Sequence, residues 1–577
     1  MKTKRGCLFR LARGLGALLL LVSALVYLGW VLPFWGMPFN GSRHASVPLT
    51  PAWALECWLW EDDINTSAGI LELLDGYQKH DFPVRTILID SPWSTRYNDF
   101  IVDEERYPDP AKFFGDLEQR GIRVVLWMTP MVNSENDDTR ITDAKDWHDD
   151  ASAKGYTAGN GFQTGWWKGT GGFIDYTNPE AMKWWRGLQQ NVFDWGIDGW
   201  KLDDSATYFS SRLGKLPIPY QRTHGGWMTT RGYMDHYYRD EYKHALTQNP
   251  EFITMVRSFD RSAHPEGFAP MDASPVNWVG DQDHEWTEEK EGIEEALIDI
   301  LKSAALGYNV IGSDVGGYSG KEIPANLYIR WAQFSTFCGL FLNGGHSERA
   351  MWKRSQSELE IIREYSWLHT ELIPYIYSNV VEAHRGGRPL MKPVDGRFHY
   401  LFGNDLLVAP IHEDLPARTM QLPEGRWRYW FEDNVVVPGP VKVTRDYPMD
   451  EFPVYIRNGA IIPMNVSRAY TGLGDKISAG FTTWLIYPHE TSKFTLHPPD
   501  GSADTSVETV LGETLTITLS GEVDPYILRV SSKEAPSAVE LDGQPVAMGS
   551  GWTYDADNHR LIVKSSTPAP GRYTVKF

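Results

Sequence analysis

Along residues 54–345, short runs of apolar, β-branched and aromatic residues alternate with stretches whose apolar positions recur every three to four residues. The first kind predicts strands and the second amphipathic helices. Eight strands are expected in order: ALECWLW (54–60), RTILID (85–90), RVVLWMTP (123–130), GWKLDD (199–204), FITMVRSF (252–259), PVNWVG (275–280), NVIGSDV (309–315) and GLFLNGG (339–345). Helical segments between them include AGILELLDGYQKH, PAKFFGDLEQRG, PEAMKWWRGLQQNVFDWG, EEALIDILKSAALG and NLYIRWAQFSTF. Eight β/α alternations of this length predict an α/β fold, a (β/α)8 TIM barrel with insertions, over 51–385. No glycine-rich dinucleotide fingerprint or phosphate loop follows any strand, which argues against nucleotide binding.

After the helical run ELEIIREYSWLHTELIPYIYS the pattern changes to short alternating segments separated by Gly, Pro, Asp and Asn. Segments such as DLLVAPI, RWRYWF, VYIRNGAIIPM, TLTITL and YILRV predict C-terminal all-β sandwich domains, one over 386–470 and a distal one over 471–577. The N-terminus has the opposite character. Residues 14–42 carry no charge, and the 14–32 stretch is long enough to cross a hydrocarbon core of about 30 Å. Lys2, Lys4, Arg5, Arg10 and Arg13 precede it, so the expected arrangement is a single-pass anchor with a cytoplasmic N-terminus. Residues 1–50 then form a basic stub, a transmembrane helix and a polar linker, and the rest of the chain lies in the periplasm or outside the cell. Cleavage of the segment as a signal would instead make the protein secreted.

Charge and cysteine content narrow the partners. A formal net charge of −20 repels phosphate backbones, so nucleic acid is not an expected partner. The exported part contains only Cys57 and Cys338, too few for a disulfide framework, and no C-x-x-C pair suggests a metal site. Two buried free thiols are expected, although neighbouring first and eighth strands would bring them close.

Functional side chains of such a barrel sit at the C-terminal ends of strands. The acids there are Asp90, Asp203, Asp204, Asp281 and Asp314, with Trp58, Trp60, Trp93, Trp127, Trp200 and Trp278 expected on the same rim. Acids together with flat aromatic faces suit a sugar pocket. Breaking a glycosidic bond with retention needs two carboxyls about 5–5.5 Å apart, one attacking and one donating a proton. The fourth and sixth strands can supply such a pair, while Asp90 and Asp314 can hold hydroxyls. Arg257, on the strand between, can bind a hydroxyl and lower a neighbouring carboxyl pKa. Alternation along a strand puts Lys201 and Asp203 on one side and Leu202 and Asp204 on the other.

These residues resemble glycoside hydrolase family 31. GIDGWKLDD is similar to the family's nucleophile segment, which implies that Asp203 attacks. RSFDRSAHPEGFAPMDASPVNWVGD resembles its Arg-Ser strand followed by W-x-G-D, implying Asp281 as general acid/base. GSDVGGY and IDSPW resemble its sugar-binding turns and imply substrate contacts from Asp314 and Asp90. Trp60, Trp127, Lys201, Arg257, Trp278 and His346 complete the expected substrate site. RYPDPAKFFGDLEQRGIRVVLWMTP, FIDYTNPEAMKWW, LLVAPI and FPVYIRNGAIIP extend the resemblance over about residues 55–465. It implies an α-glycosidase of α-glucoside, α-xyloside or α-galactoside type working through a covalent glycosyl-aspartate, without cofactor.

Three departures accompany the resemblance. The first strand follows the apolar segment almost at once, where the family usually has a β-sandwich that lends the pocket a loop, so the pocket is expected either to be more open or to be walled by the 133–172 insertion. Ser205 and Ala206 stand where many members have Gly-Glu or Gly-Asp. His346 is either a ligand contact or a solvated loop histidine. A metal-dependent barrel hydrolase would need a His-x-His after the first strand or a comparable His/Asp ligand set; the first strand ends CWLWEDD, and no His-x-His occurs. An inactive carbohydrate-binding scaffold and a transglycosidase remain as alternatives.

Overall fold

The computed structural model describes residues 2–35, 46–259 and 268–577. Residues 40–45 of the linker and 260–267 of the Arg-Ser segment lie outside the described residues. The eight expected strands form as β1 (Cys57–Glu61), β2 (Val84–Ile89), β3 (Arg123–Met128), β4 (Gly199–Leu202), β5 (Ile253–Val256), β6 (Val276–Trp278), β7 (Ile311–Gly312) and β8 (Phe341–Gly345). They join one sheet in the order β7-β6-β5-β4-β3-β2-β1-β8. Sequential neighbours therefore pair throughout, and β1 pairs in parallel with β8 from Cys57↔Phe341 to Glu61↔Gly345. A parallel bridge Asp314↔Leu342 nearly closes the ring. This is the layout of a (β/α)8 barrel.

Local chemistry explains the intervening helices. Thr66 caps Ser67–Lys79 by accepting from the Gly69 amide. Asn178 caps Pro179–Phe193, with proline in the first turn where its missing N–H costs nothing. Ser355 and Glu358 make a reciprocal capping box for Gln356–Glu371. The expected single helix around 358–378 is two, because the chain re-starts at Ile373–His384 with a proline in its first turn. A further helix, Thr230–Gln248, was not apparent from periodicity.

By contact density the chain divides into two compact units. The first comprises the N-terminal helix, Ser91–Gly115 and Leu126–Ala273. It contains the 133–172 insertion, folded as a three-stranded sheet of Met131–Asn136, Gly169–Phe173 and Thr164–Trp166 beside the helix Lys145–Ala153. Its N-terminal segment is helical from Lys2 to Trp35, with a π-helical turn at Tyr27–Val31. Within it Arg13–Phe34 is long and apolar enough to cross a membrane, at about 33 Å.

The second unit comprises Ser46–Asp90, Asp116–Val125 and Ser274–Phe577. After its barrel strands comes a six-stranded sheet running from Met391–Pro393 to Val454–Arg457, cored by Leu407, Met420, Trp427 and Tyr455. Five- and six-stranded sheets then enclose Trp484, Val507, Ile517, Leu528, Val563 and Tyr573, a β-sandwich whose first strand is Ile461–Met464. Cys57 and Cys338 are buried free thiols. Burial pushes the Cys57 thiol up to about 12, so it behaves as a small apolar side chain.

Candidate active site

Each unit assembles its own group of the expected side chains. In the first, β4 ends in Lys201, Leu202 and Asp203. The Asp203 amide continues the ladder by donating to the Met128 carbonyl at 3.1 Å. Tyr237, from the helix Thr230–Gln248, donates to both the Met128 and Asp203 carbonyls at 3.0 and 3.2 Å, which fixes the backbone under the carboxylate. Asp203 Oδ2 accepts from the Trp127 indole N–H at 2.9 Å, and Oδ1 accepts from the Asp204 amide at 2.8 Å. Burial alone would raise the Asp203 pKa. The Lys201 ammonium, the Arg257 guanidinium and those two hydrogen bonds outweigh it and hold the carboxyl below its ordinary range.

Asp204 makes a different set of contacts. It accepts from Thr207 Oγ1 at 3.1 Å and from the Thr207 amide at 3.4 Å, so it braces the short turn Ala206–Tyr208. Trp127 belongs to an aromatic shelf: Trp166 from the insertion stacks on it at 6.3 Å, and Tyr97 meets it edge-on at 5.5 Å. Trp166 is oriented by its N–H donating to Asn133 Oδ1 at 3.0 Å. Trp167 and Tyr208 extend the shelf with their rings 6.0 Å apart, both partly exposed. The insertion thus supplies aromatic surface beside the Asp203 group. Trp200 instead packs outward among Phe193, Phe252 and Phe100, and Trp93 is buried with its N–H on the Trp127 carbonyl.

The second unit gathers Trp60, Asp90, Trp278, Asp281 and Asp314 around Tyr318. Trp60 stacks on Tyr318 at 5.4 Å and meets Trp278 edge-on at 6.5 Å. The Trp278 N–H donates to both oxygens of the fully buried Asp314, at 3.0 and 3.1 Å. Burial, then the carboxylates of Asp62, Asp90 and Asp281, push the Tyr318 phenol well above its ordinary range, which keeps it a neutral donor. Its hydroxyl donates to Asp62 Oδ2 at 2.9 Å. Asp281 itself is exposed.

His346 lies between the two alternatives expected for it. Its Nδ1 lies 2.7 Å from Asp63 Oδ1 and its Nε2 lies 3.0 Å from the Tyr318 hydroxyl, so both nitrogens are engaged by protein. Asp62, Asp63 and Tyr318 were not singled out in the sequence, although CWLWEDD and GSDVGGY contain them. Trp58 is buried away from this group, bonded to the Ala54 carbonyl and stacked on Trp53.

Residues 47–379 match the glycosyl hydrolases family 31 TIM-barrel domain. Residues 393–462 match the family's C-terminal domain. The chain belongs to glycosyl hydrolase family 31. Among curated family 31 relatives, an alpha-xylosidase of Emericella nidulans is 28% identical over 72% of this chain and 54% of its own length. Alpha-glucosidase 2 of Bacillus thermoamyloliquefaciens is 24% identical over 79% of this chain and 59% of its own. The chain thus spans little more than half the length of these relatives. Among solved structures, a Flavobacterium johnsoniae family 31 dextranase shares the fold with a TM-score of 0.79 at 20% identity, over 92% of this chain and 72% of that one.

Proposed function

We propose that this protein is a retaining α-glycosidase. In this reading Asp203 attacks the anomeric carbon of an α-glycoside while Asp281 protonates the departing oxygen, leaving a β-linked glycosyl ester on Asp203. Asp281 then takes a proton from water, which attacks the same carbon and releases a sugar with its α configuration kept. The observation that carries the reading is the Asp203 carboxylate at the end of β4, accepting from the Trp127 indole and the Asp204 amide, with Lys201 and Arg257 favouring the ionised form that a nucleophile needs. Asp281 lies at the end of β6 of the same parallel sheet, in the position where barrel enzymes carry catalytic groups. Asp90, Asp314, Trp60, Trp127, Trp278, Lys201, Arg257 and His346 bind or orient the sugar.

The relatives' names support an α-xyloside or α-glucoside as substrate, with α-galactoside the further choice. An isomaltosyltransferase of Sporosarcina globispora, 22% identical over 91% of this chain, supports a transfer variant in which a sugar hydroxyl replaces water at the ester. The apolar helix Arg13–Phe34 anchors the chain in the membrane, N-terminus in the cytoplasm and catalytic domain outside or in the periplasm. The test is a panel of nitrophenyl α-glycosides with proton NMR of the first-formed sugar. An α-anomer supports double displacement, and a β-anomer overturns it.

A further inference from the structure

The loop after β4 consists of two hairpins in series, Ser211–Leu213 with Leu216–Ile218 and Tyr220–Thr223 with Gly226–Thr229. The first turns at Gly214, whose φ of 64° suits glycine, and presents Leu213 and Leu216 to solvent at 72% and 51% exposure. Trp227 on the second hairpin is 68% exposed. Such apolar surface on a hairpin tip marks an interaction site. Its charge is also unusual. Residues 205–234 contain no Asp or Glu in a chain of net charge −20, and Arg212, Lys215 and Arg222 are exposed there.

The N-terminal helix meets this loop. Trp30 donates its indole N–H to the Pro217 carbonyl of the first hairpin at 2.9 Å and stacks on Phe34 at 5.7 Å. The end of the helical segment, Leu32–Trp35, lies against Thr230–Gln248. Tryptophan near the end of an apolar span sits at the membrane–water interface, so a segment bonded to it shares that depth. From this geometry we infer that the hairpin 211–218 inserts Leu213 and Leu216 into the interfacial layer of the membrane spanned by the N-terminal helix. Arg212 and Lys215 extend to anionic lipid headgroups, their stems covering apolar surface. The inference rests on the anchor reading above. It makes the loop after the proposed nucleophile a second membrane contact.

The test uses the full chain with Cys7→Ser and single added cysteines, Cys57 and Cys338 being buried. Leu213→Cys, Leu216→Cys, Leu20→Cys within the span and Val510→Cys on the distal sandwich are each labelled with an environment-sensitive fluorophore. The labelled chains are placed in phosphatidylcholine–phosphatidylglycerol vesicles containing nitroxide lipids. Labels at 213 and 216 should be blue-shifted and quenched by nitroxides near the headgroup, the label at 20 by mid-chain nitroxides, and that at 510 by neither. Quenching at 20 without quenching at 213 and 216 overturns the hairpin inference and leaves the anchor standing. No quenching at 20 overturns the anchor reading and the hairpin with it. A blue shift at 213 and 216 without lipid quenching means that protein, not lipid, shelters the tip and also overturns it.

Discussion

The indole N–H of Trp127 donates to Oδ2 of Asp203 at 2.9 Å, from a residue 76 positions earlier in the chain. A hydrogen bond to a charged group contributes about 1.5–3 kcal/mol. Trp127→Phe keeps the ring against Trp166 but removes that donor, and kcat/KM is expected to fall roughly 10- to 100-fold. Lys201→Met tests the charge component. In the proposed mechanism protonated Asp203 cannot attack, so activity should be lost as pH falls through its pKa. That loss is expected below the ordinary carboxylate range in the native protein, and both variants should move the acid limb of kcat/KM to higher pH. An unchanged limb in Lys201→Met would show that Asp203 is not the group being titrated.

The adjacent acids are separable. Asp203→Ala should lower hydrolysis by about 10³-fold or more, with azide restoring turnover of an activated substrate as a glycosyl azide. Asp204 braces a turn through Thr207, so Asp204→Asn should keep substantial activity. Steady-state kinetics with and without azide decide between them, and rescue of only the Asp204 variant would reverse the assignment.

His346 engages Asp63 and the Tyr318 hydroxyl, so in the proposed function it acts on the walls of the sugar site. His346→Ala should raise KM by roughly tenfold with a smaller change in kcat, as expected when ground-state binding is lost. A collapse of kcat at unchanged KM would give His346 a part in bond breaking.

Glu364 provides a pH test of stability. Burial, then the charge of Asp450, raises its pKa from 4.5 to about 7. The folded state therefore binds this proton more tightly than the unfolded chain. The associated stability is present below about pH 4.5 and lost as pH rises through about 7. Glu364→Gln mimics the protonated form, so its melting temperature relative to the native protein should be more favourable at pH 8 than at pH 4. Parallel melting curves at both would refute the assignment.

The eight barrel strands and their order were legible because each is a local run of apolar residues, and sequential neighbours pair in the fold. The acids at strand ends were legible for the same reason. Gly280 in the W-x-G-D run was legible as a motif, but its cause is partly tertiary: a Cβ there would lie 2.2 Å from Trp278 Nε1 and 2.1 Å from Oδ2 of Asp314, on the next strand's turn. What the sequence by itself determined is therefore the set of barrel strands and the residue types at their ends.

Only the tertiary structure decided which groups tune those acids. Tyr318 and Asp62 are 256 positions apart, and no periodicity links them. The helix Thr230–Gln248 was hidden because its buried face carries Tyr233, Tyr237, Tyr238 and Glu241 rather than aliphatic residues. Glu241 is fully buried and accepts from Tyr176, Trp185 and Gln189 at 2.7, 3.0 and 2.8 Å. A polar side chain can be interior only where partners meet it, and those partners come from another helix and a distant loop. Hydrophobic patterning is a local signal carried along the chain, whereas satisfaction of buried polar groups is a property of surfaces that folding brings together.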